Sequence, residues 1–316
     1  MRVKQVKASN GQLRRGKRLS KDEWQLYSFC LIPILLVFIF CYLPMGGIII
    51  AFKDYRFDKG ILGSEWVGFK NFEFFLKSNE FVKLTRNTLY LNALFIVVGI
   101  IAALAVAILL FQLRSRTATK VYQTMLITPN FISWVVASYM VYALLNPSYG
   151  AINMLLQKMG LEGVDWYNTP AAWPAILTIA GVWKNVGMDC VIYYAALMGI
   201  DPTLFEAAEI DGAGTWQKIR RITIPSLVPL VTILTILKVG GIFRADFGMF
   251  YQLTRDVGAL YDVTDVIDTY VFRTMRVLGD MGMGSAIGLL QSVVGIVMVL
   301  GTNWLSKKID PDLGLF

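Results

Sequence analysis

Histidine is missing from all 316 residues. That removes the commonest general acid–base group near neutral pH and a leading metal ligand. Cysteine is scarce: Cys30, Cys41 and Cys190 are the only three, none in Cys-x-x-Cys spacing, and all fall in apolar runs. No zinc or iron site can be built from such a set, and the thiols read as helix- or lipid-packed groups. The H-E-x-x-H, G-x-S-x-G and G-x-x-x-x-G-K-[ST] patterns are also absent. Metalloprotease, serine-hydrolase and nucleotide-hydrolysing chemistry therefore have no residues to carry them. The expectation is a non-enzyme, with no catalytic and no metal-binding residue.

The third shortage is local. Charge vanishes from Phe29–Phe52, Asn87–Leu113, Val121–Leu145 and Ser285–Leu305. Each run meets the roughly 20 apolar residues that one helix needs to cross a bilayer. Two further runs, 173–198 and 227–252, are interrupted by Lys184 and Asp189 in the first and by Lys238, Arg244 and Asp246 in the second. With 56% hydrophobic residues overall, the chain is too apolar for a soluble domain of this size. The reading is an all-α integral membrane protein with six transmembrane helices. The first run is too long for the apolar core of a signal peptide and has no small-residue cleavage pattern after it, so it is expected to remain as the first helix.

Lysine and arginine set the orientation. With the N-terminus inside, the inner segments hold 16 of them in about 70 residues, the outer segments 11 in about 90. Both termini are thus expected in the cytoplasm, and the net charge of +8 is mostly a topology signal. The basic tail, tethered to lipid headgroups, is not read as a nucleic-acid arm. The organisation is a cytoplasmic tail over 1–25, one membrane domain over 26–305 and a short cytoplasmic tail over 306–316.

The segments outside the spans carry pattern of their own. Phe69, Phe72, Phe75 and Leu76 recur at helical spacing among Lys and Glu, which predicts an amphipathic helix along the outer interface, either a strap on the membrane or a contact for an external partner. Turn signals flank a short apolar helix in 146–172. An acidic loop over 253–283 contains a short helix at Thr264–Arg273. Ionisable groups at membrane depth cost several kcal/mol unless they face water or a partner. Lys184, Asp189, Lys238, Arg244 and Asp246 are therefore candidates for a polar substrate pathway, although they could equally snorkel to an interface or pair with one another. Gly187 offers a place for the fourth helix to bend, as Gly240-Gly241 does for the fifth.

Between the fourth and fifth spans lies a polar segment that does not read as a simple connector: G-I-D-P-T-L-F-E-A-A-E-I-D-G-A-G-T-W-Q-K-I-R-R-I-T-I-P-S-L-V-P, from Gly199 to Pro229. Asp201-Pro202 can cap and start a helix. Glu206 and Glu209 sit near its positive end, Gly212 and Gly214 turn the chain into a second short helix, and Pro225 marks re-entry into the bilayer. The stretch E-A-A-E-I-D-G-A followed by I-T-I-P resembles the cytoplasmic EAA loop of binding-protein-dependent ABC import permeases, in particular the maltose-type carbohydrate importers. Glu206, Ala207, Ala208, Asp211, Gly212, Ala213 and Pro225 match that pattern position by position, while Ile219 stands where an aromatic is common. The segments Y-L-P-M-G-G-I-I-I-A-F-K-D-Y (42–55), F-I-S-W-V-V (131–136) and D-V-I-D-T-Y-V-F-R (265–273) resemble the oligosaccharide and polysaccharide branch. Asp246-Phe247-Gly248 departs from it, because relatives often read Gly-Phe and then an acid there.

The resemblance implies a coupling helix inserted into a cytoplasmic ATPase. Glu206 would anchor it, Asp211 and Gly212 would fix its turn, and Ile219 and Ile222 would pass motion to the bundle. It also implies a second, homologous permease chain, two ATPase subunits that bind ATP and Mg, an extracellular solute-binding protein and a saccharide cargo in a bacterial cell membrane. The alternatives are the same machine with a non-sugar solute, or a self-contained carrier or channel, which would have no use for an EAA loop.

Overall fold

The computed structural model describes residues 21–309. The basic segment 1–20 and the last residues 310–316, on which the two tail assignments rest, lie outside the described residues. Residues up to Ile49 form a compact unit of their own. In it, helix α1 (Lys21–Val37) passes through a wide π turn at Phe38–Tyr42 into a tight 3-10 segment, Leu43–Phe52. Its apolar side chains, Phe29, Ile32 and Phe40 among them, point outward, as lipid-facing residues do.

The second unit, from Ile50, contains the remaining spans. A two-residue antiparallel pair, β1 (Lys53–Asp54) with β2 (Glu65–Trp66), is the one departure from an all-helical chain among the described residues. Lys53 closes it by donating from Nζ to the Ile61, Leu62 and Ser64 carbonyls at 2.7–3.2 Å. The amphipathic repeat forms α2 (Lys70–Leu76). Phe75 is its buried face, packed on Leu84, Ile267, Met283 and Ile287, while Phe69 and Phe74 stay exposed. Ser78 then caps α3 (Asn79–Phe111), which starts two turns before the uncharged run because its first turns are polar but helix-compatible.

Three long helices make the frame: α3, α7 (Trp173–Met198) and α10 (Ile224–Gly240). Small residues of α3, Ala103 and Ala107, let it approach α7 closely. There they meet Cys190, Tyr193 and Leu197, with Leu227 of α10 behind. A second core joins Leu91 of α3 to Trp173, Leu177 and Ala180 of α7 and to Met249, Phe250 and Leu253 of α11 (Phe247–Thr254). The acidic loop folds back as α12 (Ile267–Arg276), and α13 (Met281–Ile309) is the last span.

Three sequence expectations change. The third span is not one rod: α4 (Arg116–Ile127) runs on through the tight turn Thr128–Phe131, and that run meets α5 (Trp134–Leu145) at 99° across Ile132-Ser133. Pro129 lacks the N–H that would continue α4, and Ser133 restarts the chain by capping α5 through the Val136 N–H. The fifth span ends at Gly240 rather than 252, and Arg244 and Asp246 lie in the turn beyond it. The second short helix is not separate from the fifth span: the helical run Thr215–Gly240 is unbroken through Pro225, with a π turn at Ile219–Thr223 just before the residue that lacks an N–H.

Candidate functional site

The segment after α7 builds itself from its own side chains. Asp201 accepts the Thr203 N–H at 2.9 Å, and this bond holds its carboxyl below the usual range. Helix α8 (Pro202–Ile210) follows. At its other end the Ala213 N–H reaches back to the Ala208 carbonyl at 2.8 Å and the Gly212 N–H to Glu209 at 3.0 Å, a Schellman closure. That closure needs a left-handed residue, and Gly212 supplies it at φ +75°. Gln217 then caps the next turn, α9 (Thr215–Lys218), through the Gly214 N–H at 2.9 Å. Lys218 bridges back to Glu209 at 2.6 Å, and its hydrogen bond lowers the Glu209 carboxyl.

This V of two short helices hangs from the bundle by Phe205, whose ring sits 5.7 Å from that of Phe111 at the end of α3. Most of the rest of it is exposed. Glu206, Ala207, Asp211 and Gly212 are exposed, and Ala208, Ala213, Ile219 and Ile222 are half-buried. Ile210 is 87% exposed and Trp216 70%. With Leu204, 51% exposed, they leave three large apolar side chains in the open on a polar loop. Sequence reading passed over Ile210 and Trp216, because neither belongs to the Glu-Ala-Ala pattern.

A cavity of about 380 Å³ opens between α3, α7 and the end of α10. Of the five candidate pathway residues, Asp189, Lys238, Arg244 and Asp246 line it, together with Asn92 and Asn185. Lys238 and Asp189, from different spans, pair at 2.6 Å. Asn92 donates to the Ile242 and Arg244 carbonyls at 2.7 and 3.2 Å, tying down the turn after α10. Asp246 caps α11 through the Met249 N–H and accepts the Trp134 indole N–H at 2.6 Å. A Cβ at Gly248 would lie 2.8 Å from the Trp134 ring, so the Asp-Phe-Gly order is what this indole requires. The Arg244 guanidinium alone has neither ion pair nor hydrogen bond among the described residues.

Lys184 is elsewhere. Its buried ammonium donates to the Asn130 carbonyl at 2.8 Å, to that of Pro129 at 3.4 Å and to that of Ile132. These are the carbonyls freed by the break in the third span, so Lys184 completes the bend. Lys184→Met leaves those carbonyls without their donor, at about 1–3 kcal/mol each for groups left dry. The expected result is a melting temperature several degrees lower in detergent, with a matched loss of folded protein. A pure cargo contact would leave the melting temperature in place.

Gly187 has a packing role. A Cβ there would lie 1.9 Å from the Leu126 carbonyl oxygen, so the glycine is where α7 and α4 touch backbone to backbone.

Residues 95–311 match the family described as the inner membrane component of binding-protein-dependent transport systems. Protein LplB of Bacillus subtilis is 35% identical over 94% of this chain and 92% of its own length. The polygalacturonan/rhamnogalacturonan transport system permease protein YteP of the same organism is 34% identical over 95% and 93%. Among solved structures, a chain of a bacterial ABC transporter involved in the import of the acidic polysaccharide alginate superposes with a TM-score of 0.82. It is 33% identical and covers 92% of this chain and 97% of that one. The same transporter in complex with an alginate pentasaccharide-bound periplasmic protein gives 0.81.

Proposed function

The chain belongs to the family of binding-protein-dependent transport system inner membrane components, and we propose that it is one half of the pore of an ATP-driven importer of oligosaccharide or polysaccharide fragments. The observation that carries this reading is the segment 199–218: two short helices, internally braced, exposing Ile210 and Trp216. Neither a self-contained carrier nor a channel has any use for it.

In this reading the segment is cytoplasmic, as both termini are, and enters a groove on one of two ATPase subunits. Those subunits bind ATP with magnesium, and this chain supplies no catalytic group. Glu206 meets the groove, and the Gly212 turn sets the angle between the two helices. Because Thr215–Gly240 is one helical run, displacement of the loop becomes displacement of the fifth span and of Lys238 at its far end. The Lys238–Asp189 pair joins the fifth span to the fourth, so the cavity walls move with the loop. A second, homologous permease chain completes the pore. A solute-binding protein outside delivers the cargo, as a periplasmic protein does in the alginate system.

The polar cavity lining supports a hydroxyl-rich cargo, and the relatives named for polygalacturonan/rhamnogalacturonan transport and for alginate import support a saccharide. Asp189, Lys238, Arg244 and Asp246 are then the charged groups along its path. Lys184 does not line that cavity.

The docking surface is tested by Ile210→Asp combined with Trp216→Ser. Losing apolar anchors at the centre of an interface costs about 2 kcal/mol or more. The ATPase recovered with the membrane-inserted chain should therefore fall at least about tenfold. Unchanged recovery contradicts the assignment of this surface.

A further inference from the structure

At the far end of α11 from the cavity, a second cleft of about 240 Å³ lies between α5 and α11, lined by Ser138, Tyr139, Tyr251, Gln252, Arg255 and Asp256. The pathway residues described above do not reach it. Its backbone is unusual. Arg255 and Asp256 are consecutive non-glycine residues in the left-handed region, at φ +54° and +52°, a conformation that side chains with a Cβ disfavour and that persists only where the surroundings hold it.

Both residues are held. Arg255 lies over the ring of Tyr142, 4.2 Å from its centroid, and 5.8 Å from that of Tyr139. Asp256 accepts from the Arg273 guanidinium at 3.1 Å and from the Tyr261 hydroxyl at 3.0 Å. Arg273 is itself fixed by the buried Asp265 and by the ring of Tyr261 at 4.0 Å. Arg255 differs from Arg273 in one respect. It has ring contacts but, among the described residues, no ion pair and no side-chain hydrogen bond. The result is an exposed guanidinium, oriented by a tyrosine face, with its planar fork of donors unused.

We propose that this cleft is an outer-face subsite for one carboxylate-bearing sugar unit of the cargo, with Arg255 taking the carboxylate, Tyr139 presenting its ring face to the pyranose and Tyr251, stacked on Phe247, forming the wall beside it. The proposal rests on the saccharide-import reading and specifies the charge of the cargo. A guanidinium fork matches a carboxylate bidentately. The negative face of a tyrosine ring suits the C–H face of a sugar. Ser138, Gln252 and the remaining acceptor capacity of Asp256 suit sugar hydroxyls, which donate as well as accept. A lipid phosphate offers no donors to Asp256 or Gln252, whereas the hydroxyls of a sugar unit do. The place also fits a chain-like cargo: Asp246 and Met249, at the start of α11, line the first cavity, while Tyr251, Gln252 and Arg255, at its end, line this cleft.

The test uses the assembled transporter with its solute-binding protein in proteoliposomes and two probes, trigalacturonate and its fully methyl-esterified, neutral counterpart. Wild type should take up the acid in preference to the ester. Arg255→Gln should weaken half-saturation for the acid about tenfold, the size expected for one charge-assisted hydrogen-bond pair, and leave the ester unchanged. Arg255→Lys should fall between, and Tyr139→Ala should weaken both probes. The acid-to-ester ratio within each variant separates a lost contact from a poorly folded protein, which lowers both. If Arg255→Gln leaves the ratio of an active transporter unchanged, the subsite is overturned while the import reading stands. If wild type takes up neither probe, nor neutral maltotriose, both are overturned. If the effect of Arg255→Gln is equal for acid and ester and follows the phosphatidylglycerol content of the vesicles, the cleft holds a lipid headgroup and the subsite is overturned.

Discussion

Gly187→Ala should cost most of the folded protein in the membrane, although alanine is the better helix former. In a helix interior that exchange normally gains about 1 kcal/mol. Here the added Cβ would lie 1.9 Å from the Leu126 carbonyl oxygen, 2.2 Å from its carbon and 2.6 Å from the Ile127 nitrogen. These are backbone atoms, and no rotamer change moves them. The α7 and α4 helices would have to part by more than an ångström. That would pull Lys184, three residues away, off the carbonyls of the broken third span. Overpacking costs about 1–3 kcal/mol and occasionally more, and losing the Lys184 cap adds to it, so the contact outweighs the propensity. Gly187→Leu should be worse. Gly295→Ala in α13, where nothing lies within 4 Å of the added atom, is the control and should be neutral or slightly stabilising. Size-exclusion yield and melting temperature in detergent read all three; equal behaviour of Gly187→Ala and Gly295→Ala would mean that α7 and α4 do not touch as described.

Much of this arrangement was legible in the sequence, and what was not has a common cause. Uncharged runs placed the spans, and α7 spans Trp173–Met198 as its composition suggested. The break in the third span had a visible signal in Pro129 followed by Ser133, but the apolar residues on both sides made it read as one helix. The end of the fifth span had a weaker one. Gly241 stops α10, yet Ile242 and Phe243 keep the run apolar, and the group that secures the turn, Asn92, lies 150 residues earlier. Lys184 could not be placed from its own neighbourhood, because the carbonyls it serves are 52 to 55 residues away. Gly187 drew attention as a possible bend; that it is a helix contact depends on a backbone some 60 residues upstream. Local pattern reaches what one helix does. It does not reach which carbonyl or ring a distant segment will present.

The loop is the opposite case. Its caps, its glycine turn and its brace from Lys218 to Glu209 are all made within 18 residues, from Asp201 to Lys218, so the start at Asp201-Pro202 and the glycine turn were legible; Glu209, expected near the positive end of α8, stands instead in its last turn, where Lys218 reaches it. Glu206 is exposed on α8 and, among the described residues, takes no part in that bracing. Changing it should leave the loop folded and act only on what the loop meets. Gly212→Pro acts the other way. Proline fixes φ near −65°, against the +75° the Schellman turn requires, and removes the N–H that bonds to Glu209. The first variant removes a contact from an intact loop; the second redirects the loop with its contact residues unchanged.

The most direct measurement is ATP-driven uptake by vesicles carrying the assembled transporter with Glu206→Lys, at matched amounts of membrane-inserted chain. Reversing the charge at the centre of α8, the helix proposed to dock, should reduce uptake to background while the melting temperature of the chain stays at the wild-type value. ATP-driven uptake at the wild-type rate would contradict the account, because a pore that moves its cargo without Glu206 is not driven through this loop.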